Sequence, residues 1–165
     1  MDYNFYQTKF QSVISKVSKK QLERLGLHIA VNEVLESIVI KIYKPEWSGD
    51  PQFPLNAVSR IFFSIWVNDK TIGENRIYYN IHAFKLRELK GYKITSRDFA
   101  DRFRRQFSNG INNWPNAGME YGPLTLMEGW FELNDESIER DASELIQQFL
   151  DISFMIDETL KHYKI

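Results

Sequence analysis

Three histidines, four tryptophans and a scatter of amides and carboxylates are what this 165-residue chain offers for chemistry, and no cysteine accompanies them. His82 has the most suggestive neighbours. By strand alternation it shares a face with Tyr78, Asn80 and Phe84, and the preceding apolar segment can add Phe62, Ser64 and Trp66. Aromatic bodies interleaved with Asn, Ser and His tips are what line a ligand pocket built on a sheet. Ser64, Trp66, Tyr78, Asn80 and His82 are therefore the candidate ligand-binding residues. His82 could serve as acid or base, with Tyr78 or Glu128 close by if the last strand pairs alongside. The same pattern also describes an amphipathic face lying beneath a helix with its polar groups satisfied inside the fold, and that plainer reading is the preferred expectation.

Other chemistry is thinner. Glu158 and His162 lie four apart on one helical face, a ligand-capable spacing that equally describes a carboxylate–imidazole pair near a helix C-terminus; no metal site is expected. In the basic stretch 97–107, Asp98 precedes Arg102 by four and Asp101 precedes Arg105 by four, the favourable order for ion pairs on a helix. Arg97 and Arg104 remain as the candidate phosphate contacts, a small footprint that disfavours nucleic acid. Glycine-rich phosphate loops, nucleophile elbows and His-Glu-x-x-His pairs are missing from the sequence, so no cofactor and no catalytic residue is assigned.

Composition narrows the class. Hydrophobic residues make up 43% and aromatics 15%, enough for a sizeable core and far from the disordered regime. The absence of cysteine removes disulfides and thiolate chemistry, and with no basic, apolar leader at residues 1–10 it suggests a cytoplasmic protein without a membrane span. The net charge of −1 conceals segregation: residues 85–116 carry eight Lys/Arg against three acids, and residues 117–165 three against eleven.

The elements that must position these residues follow from periodicity. A first helix is expected over 3–25, stopped by Gly26, and residues 27–36 fit either a short strand, the preferred reading, or a helix. Strands are expected over 37–44, ended by Pro45, and over 59–68 and 76–86, with 68–75 as a hairpin connection. Within the first of these, Ile38, Ile40 and Ile42 share one face and Val39, Lys41 and Tyr43 the other. A short helix capped by Ser96 carries Phe99, Phe103 and Phe107, and a last strand over 123–133 leads into a long amphipathic helix from an Asn134 N-cap. The expected fold is a single α+β domain over 1–165: a mainly antiparallel sheet of four to five strands packed by N-terminal, middle and long C-terminal helices.

That last helix outruns a nine-residue strand, and its overhang still carries Ile156, Leu160 and Tyr163. These are expected to pack on the N-terminal helix or to form a homodimer interface. Two proline-flanked tryptophans, Trp47 and Trp114, lie in long loops and are candidate partner anchors, though the preferred reading has them folded back to cover sheet edges. The leading functional expectation is a non-enzymatic protein-binding or assembly domain using these five residues. The second is a small-molecule-binding protein or small enzyme using the face around His82, and the third is weak nucleic-acid binding through the helix over 97–107.

Overall fold

Segments that alternate β-branched and polar residues pair here in the order in which they occur. In the computed structural model, which describes residues 2–165, β1 (His28–Val34), β2 (Ser37–Ser48), β3 (Arg60–Val67), β4 (Arg76–Phe84) and β5 (Thr125–Glu132) form one antiparallel meander. The helices are α1 (Tyr3–Ser15), α2 (Lys19–Leu25), α3 (Asp69–Gly73), α4 (Ser96–Phe107) and α5 (Ile138–Lys161). The fold is α+β with N-terminal, middle and long C-terminal helices, as the periodicity predicts.

Register sorts the side chains into two unlike faces. On one, rows of apolar residues cross the strands: Val31, Ile40, Ile65, Tyr79 and Gly129 in one row, and Ile29, Ile42, Phe63, Ile81 and Met127 in the next. The helices pack here. Phe149 of α5 stacks on Phe63 with ring centroids 4.7 Å apart, and the Tyr79 ring meets both Phe149 and Trp114. Gly129 is required in its row because a Cβ there would strike the Tyr79 hydroxyl and lie 2.8 Å from the Pro115 carbonyl oxygen. The apolar stripe of α4, Phe99, Phe103 and Phe107, is fully buried in the same core.

Several boundaries depart from expectation for local reasons. The N-terminal helix is two helices, because the Ser18 hydroxyl accepts from the Gln21 N–H and starts a new one. β2 does not stop at Pro45; a register shift between Tyr43 and Ser48 absorbs the proline and carries the strand on. The 68–75 connection holds α3, with Asn68 and Thr71 exchanging the two bonds of a capping box. Thr95, not Ser96, caps α4. The Asn134 side chain accepts from Glu136 N–H, and α5 begins only at Ile138.

The far end of α5 also packs differently from expectation. α1 lies beside its beginning, where Lys9 approaches Glu139 at 4.0 Å. The last turns instead meet Trp47, whose indole N–H donates to Asp157 at 2.8 Å, and Phe99 of α4, which contacts Tyr163. Among the described residues, no helix is long and apolar enough to cross a membrane.

Candidate functional site

The second face of the sheet is built from the alternate residues of the same strands. A polar row runs across all five of them: Ala30, Lys41, Ser64, Asn80 and Glu128. It lies between two aromatic rows, Asn32, Val39, Trp66, Tyr78 and Trp130 on one side and His28, Tyr43, Phe62, His82 and Thr125 on the other. Register shifts in β2 and β5, of the kind that bends and coils a strand, interrupt the ladder beside this face. A groove of about 550 Å³ results, a volume typical of small-molecule sites. Among the described residues, no helix contributes to its lining.

Ser64, Trp66, Asn80 and His82 line this groove together. Tyr78 stands at its margin instead, stacked on Trp66 at 5.3 Å with its hydroxyl donating to Glu74 at 2.9 Å. At the floor the Ser64 hydroxyl donates to Asn80 Oδ1, and Asn80 Nδ2 donates to Glu128 Oε1 at 3.2 Å. A hydroxyl bonded to an amide oxygen has no base to take its proton, so Ser64 is not an activated nucleophile. His82 lies between Phe62 and Phe84, its ring centroid 5.2 and 4.9 Å from theirs. Burial, with the positive charges of Arg60 and Lys41, pulls its pKa down to about 4 and leaves it neutral at pH 7.

Two cations on this face were not among the candidates read from sequence. Lys41 is only 8% exposed, and among the described residues it has no hydrogen-bond or ion-pair partner; its Nζ lies 5.0 Å from the Phe62 ring centroid. Burial, then the charge of Arg60, lowers its pKa. The Arg60 guanidinium is 5.4 Å from the same ring and 5.0 Å from that of Phe84. It donates one bond to the Ala57 carbonyl, while Nε is buried without a partner among the described residues. The signal for Lys41 was its place opposite Ile40 and Ile42 on β2, but only the strand register sets it beside Ser64.

The rim carries a backbone irregularity. Leu35 and Glu36 form the β1–β2 turn with φ of 49° and 66°, the left-handed region that hairpin turns usually fill with Asn and Gly. Leu35 lines the mouth of the groove and is 93% exposed.

The other candidates are placed elsewhere, and Trp47 and Trp114 are not free to anchor a partner. Trp47 is 1% exposed, held by Asp157 and edge-on to Phe63. Trp114 is buried among Tyr79, Phe107 and Phe149. Ile156 and Leu160 are buried in the chain's own core, and Tyr163 is half-buried with Arg102 over its ring. Arg104 spends its guanidinium on the carbonyls of Tyr121, Gly122, Thr125 and Leu126, pinning the 117–125 loop to α4 rather than facing solvent as a phosphate contact. Arg97 is exposed at the start of α4. Compared with known proteins, the chain matches no family model, no curated protein and no solved structure.

Proposed function

We propose that the protein binds a small organic anion with a flat apolar body in the groove on the helix-free face of its sheet. The single observation that carries this reading is Lys41, a cation sunk in the groove with no acidic partner among the described residues. A cation on a side chain this buried, left uncompensated, is destabilising, and a ligand carboxylate or similar anion would remove that penalty. Arg60 supports it from the same side of the groove, and Phe62, Phe84 and Trp66 provide walls for an apolar body. Asn80 and Glu128 would select among ligands by their polar edges. Protein binding through Trp47 and Trp114, and nucleic-acid binding through Arg104, have less support because those side chains are engaged within the fold.

The test uses naphthoate and its uncharged amide as probes. Naphthoate is expected to quench tryptophan fluorescence saturably and to raise the melting temperature, the amide to do so weakly, and Lys41→Met to erase the difference. Equal, feeble responses to both probes in the unaltered protein would refute the reading.

A further inference from the structure

We infer that Lys41 is a reactive amine that condenses with carbonyl compounds, α-keto acids above all, to form an imine in the groove. The inference rests on the groove being a ligand site, and adds a covalent step to it. Most lysines of a protein are solvated ammonium groups or are held in ion pairs, and either state removes the lone pair that a nucleophile needs. Lys41 has no ion pair among the described residues, and little of its side chain meets water. Its amine lies over the Phe62 ring on a side chain that is only 8% exposed, with no carboxylate partner among the described residues, and a second cation, Arg60, shares the same aromatic ring. Desolvation together with a neighbouring cation is the environment that activates a lysine toward a carbonyl carbon. The lowered pKa of the amine agrees with that geometry. The amine nonetheless lines an open groove, so a ligand can reach it.

The chemistry balances without an outside reagent. The ammonium first gives its proton to bulk solvent. The nitrogen lone pair then forms a bond to the carbonyl carbon, the carbonyl oxygen takes up the proton that the nitrogen loses, and a carbinolamine results. The hydroxyl then takes up a proton from solvent and leaves as water while the nitrogen lone pair forms C=N, and the proton remaining on the iminium nitrogen returns to solvent. Arg60 would hold the carboxylate of an α-keto acid while its carbonyl faces Lys41. The charged and titratable groups sharing the lining are Arg60 on β3, His82 on β4 and Glu128 on β5. His82, neutral at pH 7, adds no third positive charge, so Arg60 is the cation in the lining that favours loss of the proton from Lys41.

The experiment traps the imine. The protein is incubated at neutral pH with phenylpyruvate and cyanoborohydride, which delivers hydride to the C=N carbon and makes the adduct permanent; intact mass and peptide mapping then locate it. One adduct per chain, on Lys41 and formed several-fold faster than on any exposed lysine, is expected. Lys41→Arg keeps the charge and much of the volume but cannot form the adduct. Its circular-dichroism melt establishes that it is folded, and it should lose the fast adduct while slow labelling elsewhere continues. Arg60→Met should slow trapping of phenylpyruvate more than trapping of phenylacetaldehyde, which lacks the carboxylate. Adducts spread over surface lysines with Lys41 untouched would overturn the inference. If naphthoate still binds in that case, only the covalent step falls; if naphthoate also fails, the groove reading falls with it.

Discussion

Phe62 and Phe63 are chain neighbours on one strand, both buried, and they belong to two different surfaces. Phe63 stacks on Phe149 of α5 and meets the edge of Trp47, inside a core made of sheet and helices. Phe62 looks the other way, with Lys41, Arg60 and His82 around its ring and a groove above it. The covered face consists of rows that are almost wholly apolar, and the open face has a polar row bracketed by aromatics. A face selected only for folding would not sink an unpaired cation. The contrast therefore teaches that stability resides in one face and that the other retains groups that work against it, as binding sites commonly do.

The sharpest way to break the comparison is to truncate each phenylalanine in turn. Phe63→Ala should cost about 3–5 kcal/mol in denaturant unfolding, since it leaves a cavity between sheet and helices. Phe62→Ala opens onto a space already present and should cost about 1–2 kcal/mol while weakening naphthoate binding. Equal losses would show that the two faces are energetically alike.

A pH titration distinguishes them next. His82 titrates near 4 in the fold against an ordinary 6.5, so below pH 6.5 the unfolded chain takes up a proton that the folded chain refuses. Its contribution is complete above pH 6.5 and lost as pH falls through about 4, on the order of 3 kcal/mol. Unfolding free energies measured across that window should have a shallower slope in His82→Phe than in the parent; an unchanged slope would remove His82 from the account.

Lys41→Met should move in the opposite direction to a core mutation. Removing an unpaired cation from a side chain that is only 8% exposed, while keeping its length, should stabilise the free protein by about 1–2 kcal/mol. A destabilised Lys41→Met protein would mean that the amine has a structural partner. The smallest effect is expected at the rim, where Leu35→Asn with Glu36→Gly replaces two residues in left-handed backbone by ones that accept it. A gain of about 1 kcal/mol in thermal unfolding is expected, with the core face unaffected.

The strands were legible because alternation is a strong signal when β-branched residues supply it, as at Ile38, Ile40 and Ile42. The expected stretches 59–68 and 76–86 differ from β3 and β4 only at their ends. What misled was punctuation. Proline at 45 reads as a stop, yet an irregular stretch of β2 accommodates it; Asn68-x-x-Thr71 is a helix-start signal hidden inside a segment of hairpin length. Ser18 interrupts an apolar seam that continues on both sides, and periodicity alone does not register the break.

The site was legible in part for the same reason. Alternation grouped Ser64, Trp66, Asn80 and His82, but it could not say which face the helices would cover, and a lysine in a strand reads as solvated until the neighbouring strand is placed beside it. What Trp47 and Trp114 fold back onto was not legible, because their partners, Asp157 and Phe149, are 110 and 35 residues away in the chain. Long-range burial of that kind leaves no local trace.

The most direct measurement is a titration of nitrogen-labelled protein with naphthoate, followed by amide chemical shifts. Shifts should concentrate on β2, β3 and β4 at Lys41, Phe62, Ser64, Asn80 and His82, with α1 and the middle of α5 unmoved. Shifts confined to the helices, or none at saturating naphthoate, would contradict a ligand groove on the uncovered face.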